Sequence, residues 1–155
     1  MAMAIKKLIQ EYLDEAKLLQ VATSRGKKPW VATVWYVHDD DFNFYFISKR
    51  MRRHSKEIET NQHVAGAIVK PHTEGSGQKV RGIQFEGFAR ACTQEEIAIA
   101  KELYEAKYEK AEQISLEDLA NPKFIATYYR IKPKEIILFD EVNYPDSPQR
   151  KYILE

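Results

Sequence analysis

An α+β fold, most simply a small closed or split antiparallel β-barrel with helices against its openings, is predicted by the order of elements along this sequence. One amphipathic helix comes first, a set of β-type segments joined by short turns follows, and one helical insertion separates these from further strands. No internal repeat or low-complexity stretch interrupts that order. The 155 residues suit one compact domain, 1–155, with a single core.

Ile5, Leu8, Ile9, Tyr12, Leu13 and Ala16 fall at helical spacing, with Lys6, Lys7, Glu11 and Glu15 on the other side, so 3–16 reads as an amphipathic helix lying against a sheet. Leu18 to Thr23 opens the β-type run, and Ser24 to Pro29 carries the Gly and Pro of a tight turn. Trp30 to Val37 is the strongest strand: Val31, Thr33, Trp35 and Val37 share one face, and Trp30, Ala32, Val34 and Tyr36 the other. Both faces therefore need a cover of protein, partner or ligand. His38-Asp39-Asp40-Asp41 has turn chemistry and leads into the Phe-rich strand from Phe42 to Ile47, which predicts a hairpin between these two strands.

Beyond Ser48 the chain turns basic, and His54 to Thr60 can form a short helix before Val64 to Val69 returns as a strand. Pro71 to Gly77 is a polar loop, and Lys79 to Ala91 alternates as a strand with Ile83 and Phe85 on one face and Val80, Gln84 and Phe88 on the other. Thr93 with Glu96 matches a capping box that starts a helix of about 15 residues. Ser115 with Asp118 marks a second, shorter helix, stopped at Asn121-Pro122. Tyr128 to Ile131 and Glu135 to Phe139 are β-rich segments separated by Lys132-Pro133-Lys134, and Gln149 to Leu154 suits a last edge strand.

Composition narrows the function classes. With 24 Lys and Arg against 23 Asp and Glu the net charge is +1, and 44% hydrophobic content points to a folded globular protein rather than a bulk electrostatic binder. A single cysteine, Cys92, rules out an internal disulfide or a multi-thiolate metal site and fits a reducing cytosol. Met1 to Gln10 lacks the apolar stretch of a signal peptide and no segment has membrane-spanning length, so a soluble, cytoplasmic protein is expected. His38, His63 and His72 lack metal-ligand spacing, and no metal is assigned.

The chemistry-bearing segment runs from Ser48 to Lys56, Ser-Lys-Arg-Met-Arg-Arg-His-Ser-Lys, with no carboxylate before Glu57. A phosphate monoester at a strand-to-helix junction requires this set: forked Arg donors, a Ser hydroxyl and the free amides of a helix N-terminus. A solvated basic loop would carry the same charges. Position favours the site, because the cluster follows a Phe-rich strand next to a Trp-rich one, so an apolar slot for a planar ring adjoins an anion site. That pairing suits a phosphorylated aromatic cofactor.

Three segments, Trp30-Val31-Ala32-Thr33-Val34-Trp35-Tyr36, Phe44 to Ser48 with Arg52-Arg53-His54, and Val80 to Gly87, resemble in order and spacing the pyridoxamine 5′-phosphate oxidase-like FMN-binding split barrels, within them a subgroup of small bacterial proteins. The resemblance spans roughly residues 5 to 140. It implies an antiparallel split barrel that binds FMN at the interface of a homodimer. Carried over by position, the cofactor-binding candidates are Ala32, Thr33, Val34 and Trp35 along the ring and ribityl chain, Ile47, Ser48, Arg52, Arg53 and His54 towards the phosphate, and Gln84 on another strand.

This sequence departs from the oxidase pattern at two places. His54 stands where a Lys is usual, so phosphate affinity is expected to weaken as pH rises through the imidazole range. The oxidase's flavin-contacting Gln aligns with Gly82, whereas Gln84 sits two residues on and on the same face. No counterpart to the oxidase's substrate-phosphate residues is found near the C-terminus, which argues against pyridoxamine phosphate as the substrate. Two function classes stay open. One is an FMN-dependent oxidoreductase exchanging electrons with a small-molecule donor or acceptor. The other is a non-catalytic module that stores or senses flavin, the deazaflavin F420 or haem, or a small barrel binding single-stranded nucleic acid, against which the near-zero net charge counts.

Overall fold

The computed structural model describes residues 2–109 and 113–154, the side chains of Ala2 and Met3 excepted. Eight strands form one antiparallel sheet in the order β2-β1-β5-β6-β7-β4-β3, with β8 paired to β7. They are β1 Leu18–Arg25, β2 Lys28–Trp35, β3 Val37–His38, β4 Phe44–Lys49, β5 His63–Val69, β6 Arg81–Ala91, β7 Ala126–Asp140 and β8 Gln149–Tyr152. Four helices flank the sheet: α1 Ala2–Glu15, α2 Arg53–Thr60, α3 Gln94–Lys107 and α4 Leu116–Ala120. The sheet curls so that β2, at one edge, comes against β4 near the other, giving the expected split barrel.

The predicted pairing of Trp30–Val37 with Phe42–Ile47 needs correction. A two-residue turn, Gly26-Lys27, with Gly26 at φ +57°, closes β2 onto β1 over the full register from Leu18↔Trp35 to Arg25↔Lys28. Only Val37 and His38 pair with β4. Tyr36 is the corner between β2 and β3: fully buried, it donates its hydroxyl to the Leu13 carbonyl of α1, and the chain crosses there from one sheet edge to the other. Phe42 lies in the turn rather than in the strand, at φ +62°, with its ring buried against Tyr152. The Asp39 carboxylate holds that turn by accepting from the Asp41 and Asn43 amides.

The two β-rich segments around Pro133 are one strand. β7 runs through the proline because it carries a bulge there, Lys134 being the extra residue between the pairs Glu86↔Glu135 and Gly87↔Pro133, and the chains approach so closely that a Cβ on Gly87 would lie 2.3 Å from the Lys132 carbonyl oxygen. The capping box forms as read: the Thr93 hydroxyl accepts from the Glu96 amide and the Glu96 carboxylate from the Thr93 amide.

Two apolar clusters result. Inside the barrel, Ile9, Tyr12 and Leu13 of α1 pack with Leu19, Val21, Phe44, Phe46, Phe85 and Leu138. Outside it, Ile97, Ala100 and Tyr104 of α3 and Leu119 of α4 cover Val37, Tyr45 and Tyr128. The insertion thus roofs the outer face of β3, β4 and β7. Among the described residues, no helix roofs the outer face of β2, β1, β5 and β6 as α3 and α4 roof the other half. Val31 is 60% and Trp35 53% exposed there.

Candidate functional site

Helix α2 stands at the barrel mouth beside β1 and β2, and the basic segment is built around it. Alternation along β4 sends Phe44 and Phe46 into the core and Ser48 towards the mouth. There the Ser48 Oγ lies 2.7 Å from the Nε2 of buried His54, the second residue of α2. Arg52 is the N-cap but makes no side-chain cap, so the first amides of α2 keep no side-chain partner. Arg53 lies with its guanidinium 4.2 Å over the Trp30 ring and donates Nε to Glu57 at 2.9 Å. Glu57 is buried and also accepts from Thr23 of β1. The Arg53 hydrogen bond leads the causes that hold the Glu57 carboxyl below its usual range, so it is a fixed anion that orients Arg53.

The same enclosure changes the reading of His54. Burial, assisted by the neighbouring Arg52, pushes its pKa down from the ordinary imidazole value. At neutral pH His54 is therefore a neutral hydrogen-bonding partner of Ser48, and the cationic character of this corner comes from Arg52 and Arg53.

The remaining candidates divide by face. Ala32 and buried Val34 point into the barrel, while Thr33 and Trp35 lie on the uncovered outer face. Gln84 shares that outer face through the register Thr33↔Gln20, Gln20↔Ala67 and Ala67↔Gln84. Three strand spacings separate it from β2, about 14 Å along the sheet. Gly82 cannot bear a side chain, since its Cβ would meet the Ile68 carbonyl oxygen at 2.4 Å, and Gln84 shares this face of β6 with exposed Glu86. Ile47 does not join Ser48; it packs against the outer cluster under α3. Thr23, Trp30 and Glu57 complete the mouth and were not candidates from sequence. The i, i+4 spacing of Arg53 and Glu57 was the available signal for one of them. Burial, with Glu96 nearby, pushes the Cys92 thiol up to about 12, which disfavours the thiolate.

Fold and site together define a split barrel with a cationic corner beside an uncovered aromatic strand. The family model described as pyridoxamine 5′-phosphate oxidase matches residues 5–139, and the chain belongs to that family. A UPF0306 protein of Klebsiella pneumoniae is 28% identical over 134 residues, 85% of this chain and 82% of that protein. Among solved structures, a putative pyridoxamine 5′-phosphate oxidase from Listeria innocua superposes with a TM-score of 0.63 at 17% identity, covering 86% of this chain and 96% of that one. The heme storage protein HutZ of Vibrio cholerae superposes at 0.64 and 19% identity over 84% and 91%. A protein of unknown function from Agrobacterium tumefaciens superposes at 0.69 and 17% identity, and this chain spans 56% of its length.

Proposed function

We propose that this protein is a homodimeric flavoprotein that binds FMN, with the phosphate in the α2 corner and the ring along β2 under a second copy of the chain. The observation that carries the reading is the juxtaposition, at one barrel mouth, of Arg53 braced by Glu57 and Trp30, the Ser48–His54 pair and the uncapped α2 amides, next to a strand whose outer side chains are exposed. This donor set fits a phosphate monoester: Arg53 spends only its Nε on Glu57, leaving both terminal nitrogens for a forked contact. Arg52 and Arg53 would bind the phosphate, Ser48 would donate to it, and the backbone of Ala32 to Trp35 would line the ring.

A second copy gives the outer face its cover. Leu18, Val31, Trp35 and Val69 form the apolar part of that face, and Gln84, too far from β2 within one chain, would reach the ring from the partner. A bound flavin supplies hydride or single-electron transfer, and the chain supplies binding, orientation and exclusion of water. A haem would ask for an axial ligand, and the imidazole of this corner, His54, already engages Ser48 through Nε2. The substrate class proposed is a reduced nicotinamide or another small electron donor.

The test is a flavin titration of the purified chain. FMN is expected to bind and colour the protein yellow, and Arg53→Ala combined with His54→Ala to abolish binding. Unchanged affinity in the double variant would sink the proposal. Consumption of a reduced nicotinamide by the loaded protein separates an enzyme from a storage module.

A further inference from the structure

The mouth that holds the phosphate corner is also where the chain concentrates its positive charge. Two segments border one hollow there: the tip of the β1–β2 hairpin, residues 25–28, and the turn and helix of residues 49–59. They carry eight of the chain's 24 Lys and Arg against two of its 23 Asp and Glu, so the rest of the molecule is net acidic. Of the two carboxylates, Glu57 is buried on Arg53 and Thr23 and also feels Arg25, while Glu59 is exposed. Arg25, Lys27, Lys28, Lys49, Arg52 and Lys56 are exposed. Even with both carboxylates counted, this end of the barrel is a strongly cationic surface on a chain whose net charge is only +1.

An apolar side chain stands in the middle of that charge. The Arg52 amide donates to the Lys49 carbonyl at 3.2 Å and closes a turn with Arg50 and Met51 at its corners. Arg50 anchors the turn to the chain ahead of β7, donating to the Phe124 and Asn121 carbonyls. Met51 is left 73% exposed, on the hollow it shares with the hairpin tip. A fixed apolar tip ringed by cations matches the interface of a bilayer with anionic headgroups, which takes up both. Single-stranded nucleic acid asks instead for an aromatic stacking platform, and a protein partner for an aromatic anchor. Among the described residues lining the hollow there is no aromatic ring, and Trp30 beside it has Arg53 over its ring. We propose that this end of the barrel docks reversibly on an anionic membrane surface, with residues 25–28 and 49–52 as its two points of contact and Met51 entering the interface. No helix among the described residues is long and apolar enough to cross a membrane, so the attachment is to the surface alone. It does not depend on the flavin reading.

The experiment is co-sedimentation of the ligand-free full chain with phosphatidylcholine vesicles, with and without phosphatidylglycerol, at low and high salt. The chain is expected to pellet with the anionic vesicles only, and to be released as salt screens the headgroups. Lys27→Gln with Lys49→Gln takes one cation from each segment and is expected to weaken binding about fivefold per charge removed. Met51→Ser leaves the charge unchanged and is expected to weaken it about fivefold by losing the inserted side chain. Both variants alter exposed side chains, and circular dichroism is expected to match the native chain. The docking surface is overturned if anionic vesicles leave the native chain in solution, if neutral vesicles bind it equally well, or if Met51→Ser binds like the native chain. It is overturned too if a single-stranded oligonucleotide strips the chain from the vesicles at equal phosphate concentration, which would assign the patch to nucleic acid.

Discussion

His54 sits in a closed setting: its ring centroid is 6.1 Å from that of Phe46, and its Nε2 meets the Ser48 hydroxyl. Because burial depresses its pKa, the unfolded chain takes up a proton at a higher pH than the folded one. The resulting stability is full above the unfolded imidazole value and is lost as pH falls through the lower, folded one. Denaturant melts of the ligand-free chain are therefore expected to weaken on going from neutral pH to about pH 5, with His54→Gln flattening part of that loss. An unchanged slope in the variant would assign the effect to His38, the other imidazole that burial depresses. A bound dianion favours the protonated ring, so FMN is expected to raise the His54 midpoint in a histidine-resolved NMR titration. A second buried cluster lies by α1, where Asp140 accepts from the Tyr12 hydroxyl, the Val142 and Asn143 amides and the Asn143 side chain. Tyr12→Phe removes one of those donors and is expected to cost roughly 1–3 kcal/mol in urea melts. A loss near zero would mean that water replaces it.

At the scale of elements, the end of α3 secures the end of α1. Lys107 donates to the Leu13 and Ala16 carbonyls at 3.1 and 2.7 Å, which lie in and just past the last turn of α1, and its ammonium sits 4.2 Å from the Tyr36 ring centroid. Tyr108 donates to the Tyr36 carbonyl and sets its ring edge-on to Trp35 at 5.4 Å. The insertion therefore braces the corner where β2 ends, beside the proposed ring site. Lys107→Met keeps the aliphatic stem and deletes the cap. It is expected to lower stability by about 1–2 kcal/mol and to shift tryptophan emission as Trp35 loses its fixed neighbour. A melt indistinguishable from the native one would show the contact to be energetically idle.

For the whole molecule, the decisive feature is which half of the sheet is roofed. α3 and α4 cover β3, β4 and β7, and the opposite half presents Leu18, Val31, Trp35 and Val69 to solvent in the single chain. In the proposed dimer these apolar residues would be covered by the second copy, and a stable interface buries about 800 Å² per partner. Sedimentation is expected to give a dimer at micromolar protein, and Val31→Glu a monomer with unchanged circular dichroism and weakened flavin binding. A native chain that sediments as a monomer would remove the partner-borne role proposed for Gln84.

Local pattern determined a good part of this. Helical periodicity in α1, the Thr93–Glu96 capping box, the alternation of β6 and the density of cations after Ser48 all depend on neighbours a few residues apart, and each formed where the sequence placed it. The apolar pattern of β2 was also legible, but the cover expected for both its faces is not found within the chain, where Val31 and Trp35 stay exposed. Tertiary structure alone decided the partner of that strand, because a two-residue turn at Gly26 outcompeted the Asp-rich turn for it. It decided too that β7 continues through Pro133, that Ile47 faces α3 and that His54 is buried and neutral. These outcomes turn on register and on desolvation by residues distant in the chain, which composition and spacing do not encode.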